Sequence, residues 1–181
     1  MKRALGSHTL PHLCIAAVCG LILLASVPAH ADGIPAFGFT TSDFRTDDMD
    51  TAELGYTFTI GSNPITVGAL GYINDGFNGT HTIAIFDVAT QQLVTGASAT
   101  VTTVGGGEAS NTFTYTDLIA PVTLAANTQY QIVSQFFAGE HYFTQAQNLT
   151  SQPGVTFGNA VYGFYGAPPA FPQFATGSYP P

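Results

Sequence analysis

The 181-residue sequence contains no tryptophan, only two cysteines and only three basic residues. Both cysteines and two of the three basic residues lie in the first 31 positions, so Arg45 is the only basic side chain beyond them. All eleven acidic residues lie after position 31, which gives that part of the chain a formal charge of −10. Such a surface repels phosphate and argues against nucleic acid as a partner. The lack of lysine and cysteine there removes both as catalytic nucleophiles.

The first 31 residues have the three parts of a secretory signal peptide. Lys2 and Arg3 precede an apolar stretch, Leu13–Val27, and Ala29-His30-Ala31 forms an A-x-A cleavage site. The apolar stretch is short for a membrane-spanning helix. We therefore predict cleavage after Ala31 and export to the extracellular space, the cell surface or the periplasm, with no integral membrane segment in the cleaved chain.

Short runs of alternating apolar and polar residues fill most of the remaining sequence. Examples are Tyr56–Ile60, Ile65–Leu70 and His81–Asp87, with turn-forming residues such as Gly61-Ser62-Asn63-Pro64 between them. β-branched and aromatic residues dominate the apolar set, and no window has a helical period. Alternation indicates strands with one buried and one solvated face. We predict an all-β fold, an antiparallel β-sandwich that is jelly-roll-like and forms a single domain.

The chain divides into four predicted segments. These are the signal peptide (1–31), a polar, irregular and acidic segment (32–53), the β-sandwich domain (54–165) and a tail rich in proline and aromatic residues (166–181). Leu93–Thr95 is predicted to pair with His81–Asp87 as a hairpin. The later runs are predicted as separate strands: Ala97–Val104, Phe113–Tyr115, Val122–Leu124, Tyr130–Phe137, Val155–Phe157 and Val161–Tyr165.

Five of these patterns resemble a domain-of-unknown-function family of exported bacterial β-sandwich proteins, many of which carry a C-terminal PEP-CTERM sorting signal. The patterns are Leu54–Ile60, Ile65–Gly71, His81–Asp87, Phe113–Tyr115 and Ala120–Tyr130. The resemblance implies export to a polysaccharide-rich outer layer and carries over no catalytic residue. The sorting tail itself is not present in the printed sequence. We therefore expect either a released protein or a longer reading frame.

Two oxygen-rich segments are candidates for calcium. Asp48 and Asp50 lie in the acidic segment, and Asn74 and Asp75 lie in a predicted loop. Calcium prefers several oxygen ligands, and loops of β-sandwich domains can supply them. The EF-hand spacing is absent, so a solvated acidic loop is the competing interpretation. We predict no other cofactor.

The two histidines beyond position 31 suggest a different kind of site. His81, together with Glu140 and His141, has the composition of a two-histidine, one-carboxylate metal site if the fold brings them together. Nothing in their spacing requires this, and we expect Glu140-His141 to be an exposed loop pair. His81 and Asp87 share a strand face but lie about 20 Å apart, so we expect each to contact a turn at its own end of the strand.

Aromatic residues crowd the end of the chain and include Tyr162 and Tyr165. Exposed aromatic faces stack on sugar rings, which makes these two tyrosines candidate ligand contacts. The competing interpretation is that they close one end of the sandwich.

We predict an exported, non-catalytic protein of the bacterial cell surface or extracellular matrix, with extracellular polysaccharide as the expected partner class. A carbohydrate-binding module with structural calcium is the alternative. An extracytoplasmic hydrolase with two paired carboxylates is a weaker alternative, since such pairs are spatial and leave no sequence motif. The sequence gives no indication of the oligomeric state.

Overall fold

Twelve β-strands make up the regular secondary structure of this computed structural model, which describes residues 33–41, 44–45, 52–105, 109–143, 147–164, 169–172 and 174–175. These residues include no helix, and hence none that is long and apolar enough to cross a membrane. The all-β prediction is confirmed. The strands are β1 (Phe37–Thr40), β2 (Phe44–Arg45), β3 (Ala52–Ile60), β4 (Ile65–Ile73), β5 (Gly79–Asp87), β6 (Gln92–Thr103), β7 (Phe113–Leu124), β8 (Gln129–Phe136), β9 (Tyr142–Phe143), β10 (Gln147–Ser151), β11 (Val155–Phe164) and β12 (Phe174–Ala175).

Six strands form the largest sheet, in the order β12-β11-β3-β8-β5-β6, and every neighbouring pair is antiparallel. Three antiparallel pairs complete the pairing: β4 with β7, β1 with β10, and β2 with β9. The predicted hairpin between His81–Asp87 and the next run is confirmed as β5–β6. Strand β1 lies in the segment that we predicted to be irregular.

The main hydrophobic core lies between the six-stranded sheet and the β4–β7 pair. Ile60 and Ile83 contribute from the large sheet, and Leu70 and Leu124 from the pair. All four are at most 3% exposed. Packing side chains of both sheets into one cluster gives the sandwich-like arrangement that alternating strands require.

Three of the strands each join two runs that we predicted to be separate, because bulges divide their sequence patterns. Strand β6 joins two runs across Gly96, which has φ = 81°. Strand β7 joins two runs across a register shift opposite Gly68, and β11 joins two runs across Gly158-Asn159. The prediction of separate strands in these three places was wrong. A bulge inserts residues into one strand, which reverses the alternation while backbone pairing continues.

The opposite face of the six-stranded sheet carries a smaller cluster that the tail covers. Val133 and Val161 are buried there, and Phe171 packs against the cluster. Glu53 lies on the same face, 1% exposed, and one carboxylate oxygen (Oε1) accepts the Ala170 N–H at 2.5 Å. The described part of the tail is therefore packed on the sheet.

Burial of Glu53 makes stability depend on pH. Burial raises its pKa above the ordinary value of 4.5, although the Ala170 N–H opposes the shift. A raised folded-state pKa contributes stability that is complete below pH 4.5 and is lost as pH rises through the folded-state value.

Glu53→Gln keeps an oxygen for Ala170 and cannot ionise. We expect its urea midpoint to rise relative to wild type as pH increases from 4 to 8. A pH-independent Glu53→Gln difference would contradict the assignment.

Candidate metal centre

Three buried titratable residues from separate parts of the chain meet at one end of the core. Asp75 lies in the loop between β4 and β5, His81 is the third residue of β5, and Glu140 lies in the turn between β8 and β9. Their exposed fractions are 0%, 0% and 8%. One potential ligand atom from each lies within 4.8 Å of the other two. The antiparallel pairing of β5 with β8 brings His81 close to the turn that carries Glu140.

The His81 ring is fixed in position and in tautomer. Its Nδ1 lies 3.2 Å from the backbone oxygen of Gln135. Because a carbonyl oxygen can only accept, Nδ1 carries the proton and the neutral ring presents a bare lone pair at Nε2. The ring stacks on Tyr72 with centroids 3.8 Å apart and planes 8° apart. Phe137 contacts it at a centroid distance of 5.9 Å.

Each carboxylate uses one oxygen to hold its own loop. Asp75 Oδ1 accepts the Phe77 N–H at 3.0 Å, and Glu140 Oε2 accepts the Phe137 N–H at 2.8 Å. The second oxygens remain for the centre. Glu140 Oε1 lies 3.7 Å from His81 Nε2, beyond hydrogen-bond distance.

Two buried atoms of the centre have no hydrogen-bond partner among the described residues, Asp75 Oδ2 and His81 Nε2. The Tyr72 hydroxyl interacts with the Asp75 carboxylate, but no hydrogen bond of good geometry to Oδ2 results. Buried polar atoms are normally paired, because desolvation without a partner costs about 1–3 kcal/mol. The two atoms therefore call for a bound group.

The backbone at Gly79 passes close to the same atoms. A Cβ built on this residue would lie 2.6 Å from His81 Nε2 and 3.4 Å from Glu140 Oε1. The first separation is too short for any real side chain, so alanine at this position would crowd the two ligand atoms. The close approach of β5 to the ligand atoms thus depends on the absence of a side chain at position 79.

Burial controls the charges of the centre. It lowers the pKa of His81, against the opposing effects of the Gln135 carbonyl and the Asp75 charge, so the imidazole is neutral near pH 7. It raises the pKa of Glu140 to about 7; the Phe137 N–H opposes this shift and the Asp75 charge adds to it. Burial, followed by the charges of Asp75 and Glu140, also raises the pKa of Tyr72. A neutral imidazole is the form that binds metals.

The chemistry of the cluster suits a cation better than a substrate. An imidazole nitrogen and two carboxylate oxygens form a ligand set typical of zinc and neighbouring divalent ions. Ligand atoms on one such ion lie about 3–4 Å apart, given bonds of about 2.0–2.2 Å. The present spacing therefore needs only small side-chain movements.

The sequence-predicted calcium residues have different outcomes. Asp48 and Asp50 lie outside the described residues. Asn74 uses its side-chain oxygen to accept the Gly76 N–H at 2.9 Å, which caps the loop locally. Asp75 points into the histidine-containing centre. Calcium binding at this loop stays a prediction.

The predicted exposed loop pair is only half correct. Glu140 is buried, contrary to the prediction, because its carboxylate folds back over its own turn and faces His81. His141 is partly exposed, and its Nδ1 lies 2.6 Å from the backbone oxygen of Asp75. It therefore holds the loop of the centre and lies outside the group of three ligand atoms.

The remaining predicted site residues lie elsewhere. Asp87 accepts the Thr90 N–H at 2.8 Å, as expected for a residue that ends a strand at a turn. Tyr162 lies on β11 and is 38% exposed. Tyr165 lies outside the described residues.

One sequence signal could have revealed the buried position of His81. His81, Ile83 and Ile85 occupy every second position of β5, so their side chains point to the same face, and the two isoleucines face the core. A histidine in phase with core residues must have its ring nitrogens satisfied inside the protein. The sequence offers no comparable signal for Glu140, which lies in a turn.

Comparison with known proteins adds no functional assignment to this geometry. No protein-family model matches the chain. A search of curated proteins finds no significant match.

Proposed function

We propose that the chain is an exported, non-catalytic β-sandwich protein of the bacterial cell surface or extracellular matrix, jelly-roll-like in topology and single-domain. The observation that carries the non-catalytic part is the burial of the three-residue centre. Asp75 and His81 are fully buried, and Tyr72 covers one face of the imidazole. A general acid, base or nucleophile must reach its substrate, whereas a centre closed in this way suits a structural role.

Among the described residues, the other buried acid and the acid that ends β5 are also engaged in structure. Glu53 holds the backbone of the tail, and Asp87 caps the turn after β5. Their roles leave them poorly suited to act as the paired carboxylates of a glycosidase. This supports a binding or structural protein over a hydrolase.

Export is tested by fractionating cells that express the full chain. We expect the protein outside the cytoplasm with Asp32 at its N-terminus, as identified by mass spectrometry. Leu23→Arg interrupts the apolar stretch and should retain the uncleaved protein inside the cell. Uncleaved wild-type protein in the cytoplasm would contradict the proposal.

Carbohydrate binding is the second candidate, and an aromatic groove supports it. Tyr115 is 52% exposed, and its ring lies 6.2 Å from that of Phe113. Both line a cavity of about 90 Å³, together with Phe37, Phe58 and Val67. An exposed ring beside an apolar groove can stack on a sugar face. Glycan-array binding that Tyr115→Ala or Tyr162→Ala weakens would locate the sugar, and no binding to any glycan would remove this candidate.

A further inference from the structure

We propose that Asp75, His81 and Glu140 bind one divalent transition-metal ion, with Zn²⁺ as the best match, through His81 Nε2 and an oxygen of each carboxylate. The inference does not depend on export. It concerns a centre that is closed to substrates, and the expected role of the ion is to connect three segments of the fold.

The first argument is the direction in which the donor atoms point. The Gln135 carbonyl leaves Nε2 as the unprotonated nitrogen of His81, and that lone pair faces an oxygen of Glu140 at 3.7 Å. When Glu140 is ionised, both atoms are acceptors, and a cation between them would pair with both. Asp75 Oδ2 is a third acceptor, and neither it nor Nε2 has a hydrogen-bond partner in the described part of the chain.

The second argument is the support around these atoms. Metal-binding histidines generally donate their other N–H to a carbonyl or carboxylate, which fixes the ring and its tautomer. Gln135 provides this carbonyl for His81. Backbone N–H groups of Phe77 and Phe137 hold the carboxylates of Asp75 and Glu140 in the same way. The three side chains are therefore held close to a binding geometry before an ion binds.

The third argument is that position 79 carries no side chain, and it is independent of charge. A side chain there would collide with Nε2 and crowd Glu140 Oε1.

The ligand set indicates the kind of ion. Calcium prefers six to eight oxygen ligands and magnesium prefers oxygen and water, whereas an imidazole with two carboxylates suits Zn²⁺ or Mn²⁺. Zn²⁺ binds more tightly than Mn²⁺ to a given site of this kind.

The test measures zinc binding to untagged protein purified from cells that express the full chain, after treatment with a chelator. Calorimetry should find one Zn²⁺ per wild-type molecule. At about 100-fold excess over Kd, Zn²⁺ should raise the Tm by about 5–10 °C. Equal concentrations of Ca²⁺ and Mg²⁺ should leave it unchanged.

Two variants alter the centre in different ways. Glu140→Gln removes a charged ligand but keeps an oxygen for the Phe137 N–H. Gly79→Ala crowds the ligand atoms without removing a ligand. Each should weaken Zn²⁺ binding at least about tenfold. Gly68→Ala, where a Cβ meets nothing within 4 Å, and Asp117→Asn are the matched controls and should bind like wild type.

The proposal is overturned if wild-type protein binds no zinc. It is also overturned if Glu140→Gln, Asp75→Asn and Gly79→Ala all keep wild-type affinity for zinc. The same holds if His141→Gln alone removes binding, because the zinc would then lie elsewhere. Should one variant fail to fold, the wild-type stoichiometry and the remaining variants still decide.

Discussion

Replacing Ile60 or Leu124 by alanine is expected to lower the free energy of unfolding by about 2–5 kcal/mol. Ile60 lies on β3 of the six-stranded sheet and Leu124 lies on β7 of the smaller pair, and both are 0% exposed in one core cluster. Each substitution removes buried methyl groups and leaves a cavity between the sheets. Urea unfolding followed by circular dichroism measures the change.

The comparison of the two variants tests the sandwich. If both sheets share one core, the two variants should lower the midpoint of a single cooperative transition. Leu93→Ala is the control, because Leu93 is 47% exposed, and it should change the free energy by no more than about 0.5 kcal/mol. A large effect of Ile60→Ala with none of Leu124→Ala would show that the β4–β7 pair lies outside the cooperative core.

Gly55→Ala should destabilise the protein by about 3 kcal/mol or more, the upper end of the cost of overpacking. Gly55 lies on β3 near the middle of the large sheet, opposite Val133. A Cβ there would overlap the backbone oxygen of Ile132 and approach the Cα of Val133 to 2.8 Å. Backbone atoms cannot rotate away as a flexible side chain can, so β3 and β8 would have to separate locally.

The control for this experiment is Gly68→Ala on β4. Its Cβ would meet nothing within 4 Å. We expect it to be neutral or slightly stabilising, because alanine restricts the unfolded chain more than glycine does. Equal stabilities of Gly55→Ala and Gly68→Ala would contradict the close strand contact. Thermal unfolding of both variants in the same buffer gives the comparison.

The sequence predicted the class of fold because apolar and polar residues alternate regularly on each side of a bulge. It divided three strands into two runs each because bulges reverse the alternation. In β6, Val94 and Ala97 both pack into the main core although they lie three positions apart, on either side of Gly96. The alternation between inward and outward side chains therefore shifts by one residue there. In β11, Val155 and Val161 lie six positions apart and would share one face of a regular strand. Val155 instead packs into the main core and Val161 into the cluster on the opposite face. A period-two pattern that changes phase resembles two short strands, although the backbone pairing is nearly continuous.

The centre could be predicted only in part, for a different reason. The position of His81 in β5, in phase with core residues, indicates that it is buried. Its contact with Glu140 depends on the register of β5 against β8, which no local pattern specifies. Asp75 belongs to an apparent turn, and only the folded loop turns its carboxylate inward. Residues 59 positions apart therefore meet through pairing of strands that the sequence does not encode locally.

The most direct test of the metal centre is anomalous X-ray scattering at the zinc absorption edge, from crystals of the protein grown with Zn²⁺. The proposal predicts one strong peak at about 2.0–2.2 Å from His81 Nε2 and from an oxygen each of Asp75 and Glu140. No peak between these residues, with Glu140 instead donating a proton to His81 Nε2 at hydrogen-bond distance, would contradict the account.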